Sequence, residues 1–301
     1  MILTFDKPER EAAAKLIKLA LAEDLDERGD LTCQALILET AAAEVAVVTR
    51  QTGVLAGSPV AKQVFAALDP EVAWTQESGD GASLGSGQRI ATVSGPLRSL
   101  LTGERTALNF LTHLSGIASL TRRFVEAAGS AQVKILDTRK THPGWRVLEK
   151  YAVRAGGGTN HRMGLFDGCL IKDNHLAAWN ALAQNAPGTI AEAIRQARSK
   201  LGKGVPVEVE VDTLEQLRDA LAGGPDIVLL DNMPAAMLRE AASIRDSIDP
   251  DVLLEASGGI SLETISEIAQ TGVERISIGA LTHSAPALDI AFDWSGFLAN
   301  S

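Results

Sequence analysis

From about residue 130 onward the chain repeats one pattern: a short apolar run, a polar or glycine-bearing loop, then a helical stretch. The strand candidates are Val133–Asp137, Cys169–Lys172, Val207–Val211, Ile227–Asp231, Val252–Glu255 and Arg275–Ile278. They carry few polar residues before their ends, as strands buried on both faces should. Helical spacing of apolar residues places helices between most of them, over Trp145–Ala155, Thr189–Lys200, Leu214–Ala222, Ala235–Ile248 and Leu262–Gln270. Such alternation requires a parallel sheet with right-handed crossovers. An open doubly wound sheet and a closed barrel both satisfy it.

The strand ends favour the barrel. Asp137 and Arg139 follow the first strand, Lys172 the second, Glu210 the third and Asp231 the fourth. Glu255 with Ser257-Gly258-Gly259 ends the fifth, and Gly279-Ala280 the sixth. An open sheet carries chemistry only in loops beside one crevice, whereas a barrel gathers every such loop at one mouth. Six strands are legible where a full barrel has about eight, so the expected barrel is incomplete.

The first hundred residues read differently. Pro8 starts a helix that runs through Ala12–Leu25, and Ser58–Leu68 forms another with Pro59 in its first turn. Glu44–Thr49, Val72–Gln76 and Arg89–Ser94 alternate as strands. Gly79, Gly81, Gly85 and Gly87 lack the Lys-Ser/Thr ending of a P-loop and are read as turns within an antiparallel sheet. A helix over Leu97–Leu114 is expected to break at Gly116 before Ala118–Ala128. The predicted organisation is an α/β sandwich over residues 1–116, joined by the tail 285–301, and an α/β barrel over 117–284.

Composition removes several classes of function. A formal charge of −10 opposes general attraction to nucleic acid or anionic membranes. Aromatic residues at 4 % are too few for a base-stacking surface. No apolar run reaches the roughly 20 residues that span a bilayer, and Met1–Lys18 lacks a signal-peptide pattern. Cys33 and Cys169 have no metal-ligand spacing and read as reduced core thiols, so a cytoplasmic location is expected.

The chemistry concentrates between Asp137 and His175. Arg146, Lys150 and Arg154 sit at helical spacing and read as a solvated stripe. Arg139, Lys140, His161, Arg162 and Lys172 fall instead in loops or at strand ends. Gly156-Gly157-Gly158 lets the backbone turn sharply ahead of Asn160-His161-Arg162. So many inward cations imply a ligand with several negative charges. Glu210 and Asp231, ending successive strands, either balance Lys172 internally or hold Mg²⁺ or ligand hydroxyls. Ser257-Gly258-Gly259 and Ile278-Gly279-Ala280 follow the last two strands, where barrels hold a phosphate on backbone N–H groups.

With these motifs in place, the sequence resembles the quinolinate phosphoribosyltransferases. The resemblance runs from Ala22-Glu23-Asp24 and Gly29-Asp30-Leu31-Thr32 to Thr282-His283-Ser284. Its most specific pieces are Asp137-Thr138-Arg139-Lys140-Thr141, Gly156–Arg162 and Leu170–His175, supported by Glu208–Val211, Leu229–Met233 and Glu255–Gly259. It implies transfer of phosphoribosyl from phosphoribosyl pyrophosphate to quinolinate with loss of CO₂, giving nicotinate mononucleotide. By the resemblance, Arg139, His161, Arg162 and Lys172 form the quinolinate pocket. Lys140, Glu210 and Asp231 hold the phosphoribosyl pyrophosphate and Mg²⁺, and Lys140, Lys172, Glu210 and Asp231 are the catalytic set. Thr138 joins the substrate-binding residues, Ser257–Gly259 and Ile278–Ala280 cradle the 5′-phosphate, and Arg105 enters from a neighbouring subunit of a homodimer or larger oligomer. His142-Pro143-Gly144-Trp145 departs from the family pattern, where Thr and a smaller apolar residue are expected. Two rivals share the fold: a molybdenum-locus transport-associated protein, expected to lack the Asn160–Arg162 and Lys172–His175 combination, and a catalytically silent metabolite-binding protein.

Overall fold

The computed structural model describes residues 3–129, 132–182 and 188–294. In chain order it begins with α1 (Lys7–Leu25), α2 (Leu31–Leu36), β1 (Ala42–Thr49), β2 (Gly53–Val54), α3 (Ser58–Leu68), β3 (Ala73–Gln76), β4 (Ser83–Leu84), β5 (Arg89–Pro96) and α4 (Leu97–Ala128). Next come β6 (Lys134–Leu136), α5 (Arg146–Ala155), β7 (Cys169–Ile171), α6 (Asp173–Ala181), α7 (Ile190–Lys200), β8 (Val207–Val211) and α8 (Leu214–Ala222). The chain closes with β9 (Ile227–Asp231), α9 (Ala235–Ile248), β10 (Leu253–Ser257), α10 (Ile265–Ile268), β11 (Arg275–Ser277), α11 (Ala280–His283) and β12 (Ile290–Asp293). These elements form two units, residues 1–122 with 140–158 and 280–301, and residues 123–139 with 159–279.

In the first unit an antiparallel sheet runs in the order β12-β1-β5-β3. Alternation along β1 buries Val45, Val47 and Thr49 on one face. Phe65 of α3 packs against that sheet, its ring 6.0 Å from Phe292 and 6.1 Å from Trp74. The glycine cluster makes turns, with Gly81 and Gly87 at φ +86 and +78. Within it, Asp80 accepts the Gly57 and Ser58 N–H groups at the head of α3 and the Tyr151 hydroxyl. Burial raises the Asp80 pKa against the pull of those three donors, so the cluster has a structural task.

Two expectations fail in this unit. Helix α4 does not break at Gly116 but runs unbroken from Leu97 to Ala128. A Cβ on Gly116 would lie 2.2 Å from the Pro286 carbonyl oxygen, so the glycine admits a crossing backbone and leaves the helix intact. The basic residues of α5 are not a solvated stripe either. Lys150 is buried, and Arg154 pairs with Glu9 of α1. Helix α5 sinks Leu148, Tyr151, Ala152 and Val153 together with Glu149 and Lys150, so charge spacing alone misjudges its exposed face.

The second unit holds a six-stranded parallel sheet among the described residues, ordered β6-β11-β10-β9-β8-β7. The first strand of this series, β6, pairs with the last, β11. An open sheet built in sequential order would leave those two at opposite edges, so the wrap-around identifies a barrel. Its gap falls between β6 and β7, where Thr159 bridges Leu136. Helices α7, α8 and α9 pack in succession. The expected helix over Leu262–Gln270 shortens to Ile265–Ile268, and α6 fills a crossover that apolar spacing left empty. Helix α6 buries no residue, which is why no apolar stripe announced it.

Candidate active site

Register decides which side chains meet. Glu208 pairs with Leu170 and Ile227, Glu210 and Glu255 both pair with Leu229, Asp231 pairs with Ser257, and Glu255 also pairs with Arg275. Paired residues point to the same side of a sheet, as do residues two apart on one strand. One face therefore carries Glu208, Glu210, Asp231, Glu255, Ser257 and Arg275, continued by Lys172 two residues beyond Leu170. This is a charged face in the interior of the sheet, where packing alone would place aliphatic residues.

The segment after Thr159 lies against that face. Asp137, fully buried just past β6, accepts the Asn160 amide at 2.6 Å and the His161 backbone N–H at 2.9 Å. These bonds turn the His161 ring inward, its Nε2 3.2 Å from Glu208 and 3.3 Å from Glu255. Glu255 in turn accepts from Arg275 at 2.7 Å. The Arg162 backbone N–H faces His161 Nδ1 at 2.7 Å, which asks for a lone pair and a neutral ring. The two carboxylates ask for an imidazolium, and in a buried site ionic attraction outweighs one neutral hydrogen bond. Burial lowers the His161 pKa, but Glu208 and Glu255 overcome it and raise the value to about 9. Glu255 is displaced the opposite way: burial raises its pKa, yet His161 and Arg275 bring the net below the usual carboxylate range.

Arg162 and Arg139 repel. The Arg162 pKa is lowered first by burial and then by the Arg139 charge, while Glu208 and Cys169 oppose the shift. Arg162 donates to the Gly168 carbonyl at 2.8 Å. A cavity of about 320 Å³ is lined by Asn160, His161, Arg162, Cys169, Glu208 and Arg275. Cys169, Pro206, Ile227 and Arg275 stand at the starts of β7, β8, β9 and β11, so the cavity lies toward the end of the strands opposite to the one where the sequence placed these cations.

Lys172, at the end of β7, is ion-paired with Glu210 at the end of β8. Asp231 ends β9 and accepts the Asn232 side-chain amide at 2.7 Å. Asn232 stands at φ +54 and donates its backbone N–H to the Ser257 carbonyl at 2.9 Å. A Cβ on Gly258 would fall 2.3 Å from the Asn232 side-chain oxygen, so glycine there lets the loops after β9 and β10 lock together. Ile278 N–H binds the Leu136 carbonyl at 2.9 Å, and Gly279 leads into α11 at Ala280. In the first unit, Arg105 is exposed on α4, and Lys140 is exposed with its carbonyl accepting from buried Thr282 at 2.7 Å. Thr138 and Arg139 follow β6, half-buried and exposed respectively.

Comparison with known proteins decides the family. The model for the C-terminal domain of quinolinate phosphoribosyl transferase matches residues 117–293, and that for the N-terminal domain matches residues 30–115. The chain belongs to the quinolinate phosphoribosyltransferase family. It is 45 % identical over 279 residues to the probable nicotinate-nucleotide pyrophosphorylase [carboxylating] of Bacillus subtilis, covering 93 % of this chain and 92 % of that protein. The Mycobacterium leprae nicotinate-nucleotide pyrophosphorylase [carboxylating] is 46 % identical over 289 residues, covering 95 % and 98 %. Among solved structures, NadC from Streptococcus pyogenes superposes with a TM-score of 0.88 at 41 % identity, covering 96 % of this chain and 98 % of that one.

Within this quinolinate phosphoribosyltransferase, His161 is held by Asp137, Glu208, Glu255 and Arg275; the sequence placed Asp137 and Glu255 at strand ends but gave none of the four this role. A signal existed in Val207-Glu208-Val209-Glu210-Val211, whose period of two puts both glutamates on one face. The donor set at Glu210 and Asp231 consists of carboxylate oxygens on partly open side chains. Carboxylate oxygens are the hard donors that Mg²⁺ takes, and Glu210 already balances the Lys172 charge. No described helix is long and apolar enough to cross a membrane.

Proposed function

We propose that this chain transfers the phosphoribosyl group of phosphoribosyl pyrophosphate to quinolinate and releases pyrophosphate and CO₂, forming nicotinate mononucleotide. The observation that carries the reading is the nearness of the Arg139 and Arg162 charges, with Arg162 lining a cavity beside protonated His161. A pyridine dicarboxylate neutralises that arrangement, as two anionic groups on one rigid ring answer two guanidiniums. Its ring nitrogen is then held for attack on ribose C1.

Glu210 and Asp231 would hold Mg²⁺, whose positive charge would favour departure of pyrophosphate. Lys140 supplies a further cation to the leaving group. The C1–oxygen bond breaks through an oxocarbenium-like state while the nitrogen–C1 bond forms. As CO₂ departs, the electron pair of the broken bond stays on ring carbon C2, stabilised by the adjacent positive nitrogen, and a proton from solvent completes the C2–H bond, so no organic cofactor is required. Backbone N–H groups of Ser257–Gly259 and Ile278–Ala280 receive the 5′-phosphate. Lys172, oriented by Glu210, faces the substrate carboxylate. We place the enzyme in the cytoplasm as a homodimer or larger assembly, with Arg105 of each subunit completing a neighbour's site.

Purified protein given both substrates and Mg²⁺ should release pyrophosphate and CO₂ in equal amounts. Lys140→Ala and Lys172→Ala should each lower kcat/KM by roughly ten- to a hundredfold, the equivalent of about 1.5–3 kcal/mol for a charge-assisted contact. Pyrophosphate release without CO₂, or near-normal kcat/KM in either variant, would overturn the assignment concerned.

A further inference from the structure

We propose that His113, His142 and Glu149 form a binding site for one divalent transition-metal ion of the zinc class. His113 projects from α4, Glu149 from α5, and His142 from the loop between Lys140 and α5. His113 Nε2 lies 2.9 Å and His142 Nδ1 2.6 Å from the same Glu149 oxygen, Oε1. The other oxygen, Oε2, accepts the His142 backbone N–H at 3.1 Å. All three donor atoms fall within 4.8 Å of one another.

Charge gives the first reason to place a cation there. The Glu149 side chain is fully buried. A buried carboxylate calls for compensating positive charge, and a divalent ion held by all three groups provides it. Donor chemistry gives the second reason. Two imidazoles and one carboxylate suit zinc and its neighbours better than Mg²⁺. Three protein ligands of this kind also leave a fourth position for water. The His142 side chain is 54 % exposed, which supplies both that opening and an entry path.

The geometry needs little change. Zinc ligands about 2.0–2.1 Å from the ion stand roughly 3.3 Å apart in a tetrahedron, so each imidazole nitrogen, now 2.9 or 2.6 Å from Oε1, moves away from it by well under an ångström. Each ring proton now facing Glu149 shifts to the far nitrogen of its imidazole, freeing the lone pair that binds metal. The His113 ring is already oriented: Trp145 meets it edge-on with centroids 5.2 Å apart and itself stacks on Phe110 at 4.9 Å. Such outer contacts fix ligand orientation. A bound ion would tie the loop after Lys140 to α4.

The test uses the full chain, stripped with chelator and titrated with Zn²⁺ in a large excess of Mg²⁺, which occupies oxygen-only sites. One zinc per chain should bind at micromolar free zinc or below. His142→Thr and His113→Gln should each weaken it by about 30-fold or more, while Glu208→Gln, at the other histidine–glutamate cluster, leaves it unchanged. Co²⁺ in the same site should give visible bands that His142→Thr alters. Circular dichroism establishes that the exposed His142→Thr change leaves the fold intact. Failure of the parent chain to bind zinc at micromolar free zinc, parent-like affinity in both histidine variants, or weakening only in Glu208→Gln would each overturn the site.

Discussion

At the scale of single residues, His161 sets the most specific expectations. Its folded pKa of about 9 lies above the ordinary imidazole value of about 6.5. The stabilisation it brings is therefore complete below about pH 6.5 and is lost as pH rises through 9. NMR titration should find the His161 ring still protonated at neutral pH, and Glu208→Gln should lower its midpoint, because one of the two carboxylates that raise it is gone. A ring that titrates near the ordinary imidazole value of about 6.5 in the parent protein would show that burial cancels both carboxylates. Arg162 allows a second prediction. Quinolinate should be preferred over nicotinate, since a missing carboxylate leaves a guanidinium without its anion. Arg162→Ala should narrow that preference in kcat/KM; comparable kcat/KM for the two acids in the parent enzyme would defeat the dicarboxylate reading. The cations of this site were legible because loops and strand ends attract notice. The carboxylates beneath them were less so: Glu208 and Glu255 act from inside strands, and only the register, which couples residues far apart in sequence, shows that they share His161.

At the scale of elements, what was legible followed from apolar period. Strands β8 and β9 and helices α3, α8 and α9 have the boundaries that the sequence pattern predicts, because the helices bury regular stripes and the strands are buried along nearly their whole length. Helix α6 buries nothing and left no stripe to read. Gly116 misled for a different reason, since local propensity treats glycine as a break, whereas here a backbone crosses the helix at that point. The two views predict opposite signs for Gly116→Ala. Helix propensity alone would stabilise the protein by about 1 kcal/mol. A methyl group 2.2 Å from the Pro286 oxygen must instead displace backbone, costing about 1–3 kcal/mol as other overpacked sites do. Denaturant unfolding should show the lower midpoint; a higher one would mean that the 286 segment yields freely.

At the scale of the whole molecule, the barrel was legible from the repeated strand–loop–helix pattern and the chemistry at strand ends, while its gap was visible only as two missing strands. Assembly is where sequence pattern carried least. Among the apolar residues around Arg105, Leu100, Leu108, Phe110 and Leu111 are buried within the chain and Leu101 is half-buried, so they are no argument for an interface. What remains for Arg105 is its exposure on α4 and the family resemblance. If Arg105 completes a neighbour's site in a two-fold dimer, Arg105→Ala and Lys140→Ala place their lesions in different composite sites. Each variant alone should keep about a tenth of the parent activity or less. Mixed under conditions of subunit exchange, a heterodimer carries both lesions in one site and neither in the other. With random exchange, half the dimers are mixed and half their sites intact, so roughly a quarter of the parent activity should return. Mass spectrometry can establish that exchange has occurred; mixed dimers without recovered activity would mean that Arg105 serves its own subunit.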